Sequence, residues 1–131
     1  MELIPISGQK NKTLFEFYDP KKWPSHWGKM PEMMHQLITT LESIDHEPVW
    51  VFTSHDELLF TNKDDYEDWQ VLVKIIEINK IQHYKITVAK ENPWHHLTGF
   101  ADNHNLAAEL VISGLSVSAI GKNRNFFLDS N

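Results

Sequence analysis

The chain has 131 residues, 41% of them hydrophobic and 11% aromatic, which describes one globular domain and excludes both a disordered tail and a two-domain chain. It contains no cysteine, so disulfide scaffolds, thiol nucleophiles and thiolate zinc sites are excluded, and a reducing compartment fits. Twelve basic against eighteen acidic side chains give a net charge of −6, and Arg124 is the sole arginine; this leaves no arginine-lined surface for nucleic acid and favours a basic partner or an uncharged one.

Met1 to Ile6 includes Glu2 and Pro5 and lacks the basic start and long apolar run of a secretory signal. Apolar runs elsewhere are broken by charge within a few residues, so no membrane span is expected and the protein is read as cytoplasmic. No repeat or Pro/Gly/Ser-rich linker divides the chain, so residues 1–131 form a single domain with a short loose tail after about Leu128. Thr13 to Tyr18, with Leu14, Phe15 and Phe17, predicts a strand ended by Asp19-Pro20. Pro31 suits the first turn of a helix, and Met33, Met34, Leu37, Ile38, Leu41 and Ile44 continue it at core-facing spacing. Pro48 stops that helix, Val49 to Thr53 is β-branched and aromatic enough for a buried strand, and a short strand follows at Leu58 to Thr61.

Two Val/Ile-rich runs, Trp69 to Asn79 and Ile81 to Ala89, predict a hairpin around Asn79-Lys80. A two-residue loop would set Lys74 opposite Lys85, a like-charge pair, whereas slips of one or three residues oppose Glu77 to His83 or Lys85; a longer loop is therefore expected. His95 to Ala101 reads as a strand. Asp102 is the candidate N-cap of a second helix carrying Leu106, Ala107, Leu110, Val111 and Leu115, weakened near Gly114. Residues 119–128 fit either strand or loop. Hairpins without strand–helix alternation predict an α+β domain: a mainly antiparallel sheet with two main helices packed on it.

The acidic excess is local. Between Ser54 and Gln70 stand Asp56, Glu57, Asp64, Asp65, Glu67 and Asp68 against Lys63 alone, a charge of −5 in seventeen residues, with Tyr66 and Trp69 among them. Aromatics within concentrated charge are the mixture from which interface hot spots are made, so these eight residues form the candidate partner-binding segment; a solvated acidic loop is the alternative. The window has no glycine and lacks alternating oxygen ligands, so it is not a calcium loop.

Eight histidines, at 26, 35, 46, 55, 83, 95, 96 and 104, include no helical His-x-x-x-His or His-Glu-x-x-His pair, so no metal site is expected. His95 and His96 would point to opposite faces of a strand. Asp102 with His96 or His104 could form an acid/base pair, but no nucleophile completes a mechanism, and no catalytic residue is assigned. The five glycines are too dispersed for a phosphate loop, so no nucleotide cofactor is expected. Trp23 and Trp27, beside Met30, Met33 and Met34, either plug the core or form a contact surface.

In size, charge and α+β content the chain resembles the immunity proteins of bacterial contact-dependent growth-inhibition and related polymorphic-toxin systems. The resemblance is one of general character and transfers no residues. It implies a cytosolic protein that binds and neutralises a toxin domain, without cofactor, catalysis, nucleic acid or membrane; here the segment Asp56 to Asp68 would cover the toxin's basic substrate-binding surface. The rival expectation is a small enzyme or ligand-binding domain with a Trp/Met/His-lined pocket and His96, Asp102 or His104 as its polar members.

Overall fold

In the computed structural model, residues 1–9, 12–66, 69–89, 96–116 and the backbone of 126–128 are described. The elements are β1 (Leu3–Pro5), α1 (Leu14–Phe17), α2 (Met30–Glu42), β2 (Val49–Ser54), β3 (Glu57–Thr61), β4 (Trp69–Ile78), β5 (Ile81–Val88), β6 (Leu97–Ala101), α3 (His104–Leu115) and β7 (Phe126–Leu128). The strands form one seven-stranded sheet in chain order, antiparallel throughout except for the parallel pairing of β1 with β2. This is the expected α+β architecture, with α2 and α3 on the sheet. The expected loose tail lies outside the described residues.

The centre of the sheet is the β4–β5 hairpin, whose register runs from Val71↔Val88 to Ile78↔Ile81. Its loop has two residues, not more: Asn79 and Lys80 both adopt positive φ, 50° and 67°, as a type I′ turn requires, and Lys74 does lie opposite Lys85. The like-charge pair costs a few tenths of a kcal/mol to about 1 kcal/mol, and half-buried lysines lead their ammonium groups to water along their stems. The odd-numbered slips that avoid it would turn one strand's core row outward. That row holds buried Val71, Val73, Ile75, Tyr84, Ile86 and Val88, each contributing about 1.5–3 kcal/mol by burial. Burial decides the register.

Two local expectations are corrected. Leu14 to Phe17 is a helix and not part of a strand, because Thr13, its N-cap, accepts at Oγ1 from the Glu16 amide at 3.1 Å while the Glu16 carboxylate accepts from the Thr13 amide at 3.4 Å, a capping box that starts α1. Asn103, not Asp102, caps α3: its Oδ1 accepts from the Leu106 amide at 2.9 Å, and Asp102 Oδ1 accepts instead from Asn103 Nδ2 at 3.0 Å. α3 runs through Gly114 to Leu115. A Cβ at this buried position would stand 2.7 Å from Val88 Cγ2 and 2.9 Å from Val71 Cγ2, so the missing side chain lets α3 lie on β4 and β5.

The main core lies between the helices and one face of the sheet, with Met30, Met34, Leu37 and Leu41 from α2 and Ala107, Leu110 and Val111 from α3. Trp23 and Trp27 are half-buried and plug its edge; Trp23 Nε1 donates to the Phe17 carbonyl at 2.9 Å, and its ring stacks on Tyr18 at 6.2 Å. Met33, also half-buried, packs on this core beside buried Met30 and Met34. On the opposite face a smaller cluster joins Ile6, Phe52 and Leu59 to half-buried Trp50, Trp69 and Leu72.

Two phenols are held protonated by this core. Burial, and then the carboxylates of Asp56 and Glu57, push Tyr18 well above the ordinary phenol range. Burial pushes Tyr84 up to about 12.

Gly114→Ala is expected to destabilise the fold by about 1–3 kcal/mol through overpacking, read as a lower urea midpoint at unchanged slope. For the phenols, the unfolded chain gives up its protons near pH 10 while the folded chain keeps them. Their contribution is therefore complete below about pH 10 and lost as pH rises towards about 12 and beyond. Urea midpoints between pH 9 and 12 should decline less steeply in Tyr84→Phe than in the parent; equal slopes would contradict this.

Candidate partner-docking surface

The acidic window does not form one surface. The five residues of β3 separate its two ends, so Glu57 and Thr61 stand about 13 Å apart along the strand and Asp64 lies beyond. At the near end, His55 and Asp56 form the two-residue turn between β2 and β3, with His55 at φ 58°. Asp56 is only 4% exposed. Its carbonyl accepts a hydrogen bond from the buried Tyr18 hydroxyl at 3.0 Å, and its buried Oδ2 has no hydrogen-bond partner. Asp56 is therefore built into the structure and offers no carboxylate to a surface partner, contrary to its expected place in the docking segment. Glu57 is half-buried beside it.

At the far end, Asp64, Asp65 and Tyr66 lie together in the exposed connection from β3 to β4, and Glu67 and Asp68 lie outside the described residues. A register shift between Phe60 and Thr61, which pairs Thr61 with Trp69, starts this connection. The loop is tied down from three sides. Asp64 accepts from both the backbone amide and the hydroxyl of Ser7. Tyr66, 51% exposed, sets its ring edge-to-face on Phe52 with centroids 5.2 Å apart. Trp69 is half-buried in the smaller cluster and meets His96 edge-to-face at 5.6 Å. Trp69 is thus an anchor more than a contact residue.

Sequence reasoning missed the residues that hold this loop from the N-terminal segment. Ser7 is 57 positions from Asp64, and no local pattern announces the pair. Gly8 lies flush against Tyr66: a Cβ there would come within 2.6 Å of the phenol oxygen. Gln9 completes the support, its amide accepting from the Thr53 N–H and donating to the Thr53 carbonyl, both at 2.7 Å. The segment from Ser7 to Gln9 is fixed to β2 and in turn fixes the acidic loop. Preorganisation of this kind lowers the ordering cost of binding.

The rival pocket is assembled only in part. Asp102 and His104 line one cleft of about 510 Å³ with Met33, but no tryptophan lines it. His96 lies beside Trp69 in the other cluster. Among the described residues no group of three or more His, Asp or Glu side chains converges as a metal site. No helix among them is long and apolar enough to cross a membrane. The chain matches no family model, no curated protein and no solved structure.

Gly8→Ala is expected to push Tyr66 off Phe52 with a global stability change within about 0.5 kcal/mol, since the displaced ring is half exposed. Proton NMR should show the Tyr66 ring resonances moving towards solvent-exposed positions while the core methyl resonances stay in place. Unmoved Tyr66 resonances would contradict the contact.

Proposed function

We propose that this protein is a small cytoplasmic binding protein that neutralises a cognate toxin domain, as an immunity protein does, by covering its basic substrate-binding surface. The observation that carries the reading is the half-exposed ring of Tyr66 standing beside Asp64 and Asp65 on a loop tied to Ser7 and Phe52. Paired carboxylates steer a basic partner into register, and a rigid aromatic supplies apolar contact at low entropic cost. The docking segment is therefore narrowed to the far end of the acidic window, Asp64, Asp65 and Tyr66, with Glu67 and Asp68 continuing it in sequence. Asp56 serves the fold. The mechanism is steric occlusion, needs no cofactor, and assigns the protein no catalytic role.

The test starts from the partner recovered from the native host with the full chain as bait, followed by titration of the purified pair. Charge reversal at Asp64 and Asp65 is expected to weaken binding at least tenfold at low salt and to flatten its salt dependence, because surface charge attraction is screened within about a Debye length. Asp56→Asn, buried at the other end of β3, is expected to bind within about twofold of the parent. Equal binding by the reversed variant at low and moderate salt would overturn the proposal.

A further inference from the structure

Among the described residues, one buried side-chain oxygen or nitrogen lacks a hydrogen-bond partner: Oδ2 of Asp56. Native proteins pair nearly all such atoms, and an interior carboxylate oxygen without a donor is among the costliest to leave, so this orphan calls for a ligand the chain does not supply. The chain brings it no donor. The hydroxyl of Tyr18, which reaches this turn, spends its one hydrogen on the Asp56 carbonyl at 3.0 Å and keeps only lone pairs for anything else beside it.

What surrounds the orphan is oxygen and negative charge. His55 to Glu57 carries two carboxylates and no lysine or arginine, and Glu57 is half-buried next to Asp56. Both carboxylates act on the Tyr18 phenol, which burial and then their charges keep protonated. Two carboxylates, a phenol oxygen and backbone carbonyls are hard donors, suited to a hard cation. They are fewer than a closed cage needs, in keeping with the absence of any convergent group of three His, Asp or Glu among the described residues. A divalent ion held by one or two carboxylates and completed by water is the arrangement such a set allows. The backbone is fixed in advance: Ser54 pairs with Glu57 across the turn, and Tyr18, fully buried and stacked on Trp23, holds the Asp56 carbonyl.

We propose that the β2–β3 turn binds a hard divalent cation, magnesium or calcium, with Asp56 Oδ2 as its inner ligand and the Glu57 carboxylate as its second. Ser54 and His55, just before Asp56, are exposed, so the ion would reach the carboxylate from solvent and not through the core. Bound there, it would give the orphan oxygen its partner and tie the turn to α1 through Tyr18. The site lies at the opposite end of β3 from the acidic docking loop and does not depend on the toxin-neutralising reading.

The test is titration of the full chain, stripped of metal with a chelator and dialysed, with MgCl2 or CaCl2 against KCl at matched ionic strength, read by Tm and by amide NMR shifts. A divalent ion is expected to bind saturably with a Kd on the order of 1 mM and to move the amide resonances of His55, Asp56 and Glu57. At 10 mM it should raise the Tm by about 3 °C or more, and the tighter of the two salts identifies the ion. Asp56→Asn is expected to lose the Tm response and Glu57→Gln to weaken the affinity at least threefold. Each variant is compared with its own metal-free state, so a change in basal stability does not enter, and Glu57→Gln carries the test if Asp56→Asn fails to fold. Asp64→Asn combined with Asp65→Asn is expected to respond as the parent does. The proposal is overturned by an equal response to KCl, by no saturable response to either divalent salt, by a response retained in full in both Asp56→Asn and Glu57→Gln, or by one lost in the Asp64→Asn, Asp65→Asn variant.

Discussion

The two-residue turn at Asn79-Lys80 is the constraint on which the rest of the structure depends. With both residues in the left-handed region, it fixes the pairing of β4 with β5, and the pairing sends Val71, Val73, Ile75, Tyr84, Ile86 and Val88 to one face. That row is the floor on which α2 and α3 rest. Shifting the register of one strand by one residue would exchange its buried row for Leu72, Lys74 and Ile76 or for His83, Lys85 and Thr87. The close seat of α3 at Gly114 against Val71 and Val88 exists only in the observed register. A left-handed lysine and a like-charge cross-strand pair are small costs beside it.

β4 also separates the molecule's two polar features. The acidic loop precedes its first residue and Lys80 follows soon after its last, so about 30 Å of ten-residue strand stands between them. The net charge of −6 is therefore distributed: carboxylates gather before β4, and the cleft beyond it carries two lysines against one aspartate. At that separation, several Debye lengths at physiological salt, the charges of the two ends are screened from one another.

The fold was legible where periodicity is strong. The α2 stripe from Met33 to Leu41 and the Val/Ile runs of β4 and β5 announced their elements within one or two residues. Less legible were places where a few hydrogen bonds outweigh propensity. The apolar run Leu14 to Phe17 reads as a strand by propensity, whereas Thr13 and Glu16, three residues apart, form a reciprocal cap that makes it a helix. The hairpin loop is shorter than the Lys74–Lys85 charge conflict suggests, because the core row that the register buries outweighs that conflict. In the candidate site, exposed Asp64, Asp65 and Tyr66 could be read from composition. The burial of Asp56 could not, since it follows from Tyr18, 38 positions away, and the support from Ser7 and Gly8 is longer-range still.

The central claim is that only the far end of the acidic window, tied to the N-terminal segment, meets a partner. The most direct measurement is backbone amide hydrogen exchange of the full chain, alone and saturated with the partner recovered from its host. New protection is expected at 62–66 and across Ser7 to Gln9, with none at His55 to Glu57. Protection centred on the His55–Asp56 turn, or confined to the outer faces of α2 and α3, would contradict it.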